Sequence, residues 1–178
     1  MLSAVGSKMP KTSKAHAMFF FLRAGEFFSA AGKLFASENR AKAPNKWEYP
    51  IYFCYSHAVE LALKAFLRSH KPEVEFGHEL TKTYKKCVAL GLVIGPDDRT
   101  HIGNIVTLLD NGNEKSGFRY FIGSGALPDL AWTREVVGRL IDAVEPHAMR
   151  AEKDNASGLG KVVGIRLIIG KPTPRDRG

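Results

Sequence analysis

The chain has 178 residues, 44% hydrophobic and 25% charged, the balance of a globular domain with room for a sizeable core. Net charge is +8, and two cysteines, Cys54 and Cys87, are too few for a disulfide framework or a cysteine-built metal site. No run reaches the ~18 apolar residues of a membrane-spanning helix, and no convincing secretory signal is present, because Arg23 breaks the apolar run of "AHAMFFFLRAG".

Residues 1–12 read as a disordered basic segment, residues 13–150 as a helical bundle, and residues 151–178 as a linker, a short strand and a basic tail. Lys8, Lys11 and Lys14 give the first fourteen residues a charge of +3. Five basic residues against Asp176 give residues 161–178 a charge of +4, which leaves +1 for everything between. The body is therefore near neutral. Basic ends can attract nucleic acid non-specifically; the plainer reading is that they solubilise the chain.

The first predicted helix is "TSKAHAMFFFLRAGEFFSAAGKLFASENR" (12–40), with Phe20, Phe27, Phe28, Ala31, Leu34 and Phe35 near one side at helical spacing. A loop, "AKAPNKWEYP", leads to a second helix over about 50–70, with Pro50 suited to its first turn. This second helix is unusual. His57, Glu60, Lys64 and Arg68 fall in one narrow wedge at about 100° per residue, and nearly everything else is apolar. A dry arc of roughly 240°, against the roughly 100° of an ordinary surface helix, demands cover from several sides: other helices, a second subunit, or both.

After the loop "KPEVEFG", "HELTKTYKKCVALG" predicts a third helix whose dry side holds Leu80, Tyr84, Cys87 and Val88, with Gly91 as its stop. "PDDRTHIGNIVTLLDNG" predicts a fourth, with Asp97 and Asp98 in its first turn and Asn111-Gly112 as its end. "DLAWTREVVGRLIDAVEPHAMR" predicts a fifth, with Leu130, Val137, Leu140, Ile141 and Val144 as its dry face. Two segments, "FRYFI" (118–122) and "KVVGIRLIIG" (161–170), are extended in character and could pair as a ribbon or across subunits. The expected fold is mostly α, a bundle of about five helices with a short β-like element near the C-terminus.

The chain carries no P-loop, Rossmann glycine fingerprint, His-Glu-x-x-His or Gly-x-Ser-x-Gly motif. "GSGALPD" (123–129) lacks the strand–loop–helix setting of a phosphate cradle, and the six histidines make no metal-binding spacing. Neither a cofactor nor a metal is expected.

Three pieces together carry a resemblance. "SHAVELALKAFL" (56–67), "GHELTKTY" (77–84) and "FRYF" (118–121) resemble the HEPN superfamily, in which a helix carrying Glu-x-x-x-Lys precedes a Gly-His-Asp/Glu-Leu helix start and, later, an Arg-Tyr pair. The likeness spans about residues 15–150. It implies a small helical bundle, often dimeric, whose relatives include ribonucleases of toxin–antitoxin and defence systems and companions of nucleotidyltransferase domains. The ribonuclease members carry Arg, four to six residues, then His. None of His16, His57, His70, His78, His101 and His147 has an Arg five to seven positions earlier. Arg139 and His147 come nearest, but a separation of eight puts them about 80° apart on a helix.

The resemblance therefore implies a non-catalytic binding or interaction module, a homodimer engaging a nucleotide, RNA or a nucleotidyltransferase-type partner, and the two unpaired cysteines fit a reducing cytoplasm. The alternative is a divergent metal-independent ribonuclease. The expected polar pocket is His57, Glu60, Lys64, His78, Arg119 and Tyr120, with Arg119 holding Glu60. The competing reading makes the wedge a wet face and Glu60–Lys64 an ordinary i,i+4 surface pair.

Overall fold

The computed structural model describes residues 16–38, 47–71, 77–114 and 127–158. They form five helices: α1 (Ala17–Glu38), α2 (Glu48–His70), α3 (Leu80–Ala89), α4 (Pro96–Glu114) and α5 (Leu130–Gly158). No strand occurs among the described residues. The mostly α bundle of about five helices is thus the observed fold. Both segments read as extended, 118–122 and 161–170, and the basic segment 1–12 lie outside the described residues.

α2 is the axis of the molecule and touches all four other helices. With α1 and α5 it makes one mutually packed trio, and with α3 and α4 a second; α4 against α5 closes the bundle. This arrangement accounts for the wide dry arc of α2, since Ile51, Tyr52, Tyr55, Val59, Leu63 and Phe66 are all fully buried. The cover that the arc demands comes from within the chain. Contact is most extensive between α1 and α2, where Ala24 and Ala31 on α1 and Ala58, Ala62 and Ala65 on α2 are fully buried. Phe21 and Ala24 join the α1 dry face, beside the partly buried Phe20, Phe27 and Phe28.

Pro50 stands in the first turn of α2, where its missing N–H would have had no intrahelical partner. α3 ends in a full Schellman motif. The Leu92 N–H donates to the Cys87 carbonyl at 3.0 Å and the Gly91 N–H to the Val88 carbonyl at 3.0 Å. Gly91 takes φ +91°, which a side chain would strain. α5 opens on an Asp129 cap, whose Oδ1 accepts the Trp132 N–H at 2.7 Å.

Two helices run further than their sequences predict. α4 passes through Asn111-Gly112 to Glu114. Leu109 and Asp110 are buried there, and packing outweighs a weak local stop. α5 passes through Pro146 and eight residues beyond Arg150. Its apolar periodicity fades after Ala148, but Ala151, Glu152 and Lys153 favour helix, so residues 151–158, read as linker, belong to α5.

Cys87 sits in the core, its Sγ–H donating to the Leu63 carbonyl at 3.6 Å, and burial pushes its thiol up to about 12. Cys54 is half-buried, and burial also raises its thiol from the ordinary value. The reactive form is the thiolate. Iodoacetamide at about pH 8 should therefore label Cys54 slowly and leave Cys87 unmodified until the chain unfolds. Mass spectrometry of the tryptic peptides reads this out, and Cys87 labelled in the native protein as fast as in denaturant would show that the core there is open.

Candidate functional site

The polar wedge of α2 is largely buried. Glu60 is 7% exposed, and its side chain and that of Lys64 retain only 9% and 11% of their accessible surface. The Lys64 ammonium donates to Glu60 Oε1 at 2.5 Å. An ordinary surface pair would hold both groups in water; this one does not. The burial follows from the architecture: α2 has neighbours on so many sides that even its polar wedge is hemmed in.

Two imidazoles complete the cluster. His78, just ahead of α3, donates from Nδ1 to the same Glu60 Oε1 at 3.1 Å, while its ring stands 87% exposed. His57 Nδ1 lies 3.6 Å from Glu60 Oε2, close enough for an ion pair when the ring is protonated. The His57 ring is held between two phenylalanines, edge-on to Phe27 at 4.8 Å and stacked on Phe53 at 5.2 Å. Glu60 thus accepts from Lys64 and His78 and lies in ion-pair range of His57, covered at its base and open on the His78 side.

His78 is placed by a residue that the sequence pattern did not single out. Asp110 of α4, itself buried, accepts the Leu80 N–H through Oδ1 and the Thr81 N–H through Oδ2, each at 2.8 Å. A carboxylate there satisfies two of the amides that a helix start leaves without partners and complements the helix dipole. The start of α3 is therefore stitched to α2 through His78–Glu60 and to α4 through Asp110. A signal for Asp110 exists in the sequence. It falls eight residues after Ile102 and four after Val106, on the dry face of α4, where an unpartnered acid would be costly.

Of the six residues expected to form the pocket, the structure brings together His57, Glu60, Lys64 and His78. Arg119 and Tyr120, and with them the expected Arg119–Glu60 pair, lie outside the described residues. Arg139 and His147 do not meet. The Arg139 guanidinium donates to Asp98 of α4 and to Glu135, one turn back in α5. The His147 ring packs instead on Phe66 and His70.

Among the described residues no group of three or more His, Cys, Asp or Glu side chains could hold a metal ion, and no helix is long and apolar enough to cross a membrane. The comparisons are negative throughout: no family model, no curated protein and no solved structure matches this chain.

Proposed function

We propose that this chain is a non-catalytic, HEPN-like binding module of the reducing cytoplasm, which takes a phosphate-bearing ligand, a nucleotide or RNA, at the open side of the Glu60 cluster. One observation carries the reading: Glu60 is buried and already engaged by Lys64 and His78. A general base must be free to take a proton at the reacting atom. Using Glu60 so would break a buried ion pair, whereas a binding site tolerates a cluster whose members satisfy one another. The exposed His78 and the neighbouring His57 supply donors at the rim, where an anion could be received. A homodimer, and a nucleotidyltransferase-type or antitoxin partner, are the assemblies that the HEPN resemblance adds to this proposal.

A divergent metal-independent ribonuclease is the second reading. It has one observation in its favour, the convergence of two imidazoles, His57 and His78, on a single carboxylate. One experiment separates the two. Labelled single-stranded RNA is incubated with the protein in chelator, with anisotropy followed first and product length afterwards. The expected result is salt-sensitive binding, weakened several-fold by His78→Ala, with the RNA intact. Cleavage that survives repurification and disappears in His78→Ala would establish the ribonuclease. Failure to bind both RNA and a fluorescent nucleotide at protein concentrations up to about 100 μM would defeat the module reading, since even weak non-specific RNA binding lies in this range.

A further inference from the structure

Away from the Glu60 cluster, at the C-terminal end of α2, three rings from two helices meet. Phe66 stacks on His70 at 4.3 Å and meets the edge of His147 at 4.7 Å, and the two imidazoles lie 5.1 Å apart. His70 is further fixed by its own helix, with Nδ1 3.1 Å from the Phe66 carbonyl and 3.0 Å from Ser69 Oγ. A backbone carbonyl can only accept, so His70 Nδ1 carries a proton whenever this contact is made. His147 is the sole member contributed by α5, and it follows Pro146 directly. Proline inside a helix leaves the carbonyl four residues earlier, that of Asp142, without its usual N–H donor and weakens the helix at that point. The last twelve residues of α5 thus lie beyond a soft joint, and their first side chain docks on α2.

We infer that His147–Gly158 is an acid-released arm, hinged at Pro146 and latched to α2 by the rings of Phe66, His70 and His147. The electrostatics of the latch are one-sided. Burial, then His70 across the interface, then Arg150 three residues on in α5, all hold the His147 pKa below its ordinary value. Its charged and titratable neighbours are His70 on α2 and Arg150 on α5, both of which disfavour a further positive charge, and no carboxylate among the described residues lies within ion-pair distance of either ring. His70 is exposed and His147 half-buried, so protons reach both. Protonation would put a cation beside a second imidazole and a guanidinium, with no carboxylate among the described residues in ion-pair range to balance it.

The sign follows from linkage. The docked arm has the lowered pKa, and a released arm has the ordinary histidine value of about 6.5. The docked state binds fewer protons between these two values, so its advantage is complete above about pH 6.5 and is lost as pH falls through the lowered value. The affected range is where histidine alone among ordinary side chains changes charge.

Amide hydrogen exchange of the full chain at about pH 7.5 and about pH 5, corrected for intrinsic rates, tests this. Protection in peptides covering 147–158 should fall at the lower pH while peptides of α3 hold theirs. In His147→Gln the pH difference should vanish. Equal protection at both pH values would overturn the latch, as would the same loss in His147→Gln, or a loss shared by α3, which would mean global acid unfolding. If His147→Gln does not fold, histidine NMR titration of the wild type decides. A His147 midpoint below that of the exposed histidines, moved upward by Arg150→Gln, is the expected outcome, and a midpoint at or above theirs contradicts it.

Discussion

Glu60→Gln should destabilise the protein by about 3–5 kcal/mol, the usual cost of removing one partner from a buried ion pair. The substitution changes shape very little, so the loss is electrostatic. It leaves the Lys64 ammonium, almost as buried as its partner, facing a neutral amide. It also removes the charged acceptor of the His78 Nδ1–H. Lys64→Met should cost less. Glu60 would keep His78 as a hydrogen-bond donor, and methionine would preserve the packing of the Lys64 stem. The two effects distinguish a buried cluster from a solvated helix face, on which each change would cost only tenths of a kcal/mol. Urea melts at neutral pH give both numbers.

The second large effect is predicted at Asp110. Asp110→Ala removes two charge-assisted hydrogen bonds at once, those from the Leu80 and Thr81 amides. Bonds to charged groups contribute about 1.5–3 kcal/mol each, but water can partly reach the exposed end of α3, so about 3 kcal/mol is expected for the pair. Asp110→Asn, which keeps one acceptor oxygen, should recover roughly half of that. The consequence also reaches the site. His78 stands two residues before Leu80, so a frayed α3 start should loosen the His78–Glu60 contact, and exchange at residues 79–84 should accelerate in Asp110→Ala. A loss under about 1 kcal/mol, with α3 still protected, would mean that solvent replaces the Asp110 cap at little cost.

The helices were legible because their signals are local. The 3.6-residue period of Leu80, Tyr84 and Cys87, Pro50 in a first turn, Asp129 at a helix start and Gly91 at a helix stop each act within a few residues. The width of the α2 dry arc carried more: it implied neighbours on several sides, and four helices supply them. The ends of α4 and α5 were misread because tertiary packing and helix propensity outweigh an Asn-Gly pair and a fading apolar period. Within the site, His57, Glu60 and Lys64 share a helix and could be grouped by angle alone. His78 joined them only through the resemblance of its Gly-His-Glu-Leu segment. Asp110 was missed because its partners lie 30 and 29 residues away, a distance over which periodicity carries no information.

The claim on which the functional reading rests is that Glu60 and Lys64 form one buried, coupled unit at the base of an open site, and a double-mutant cycle measures this directly. Wild type, Glu60→Gln, Lys64→Met and the double variant are unfolded in urea under one set of conditions. The double variant should lose at least about 1 kcal/mol less than the sum of the two single losses, because a neutral pair strands no charge. Small single losses that add within about 0.3–0.5 kcal/mol would contradict the account and make the polar line of α2 a wet helix face.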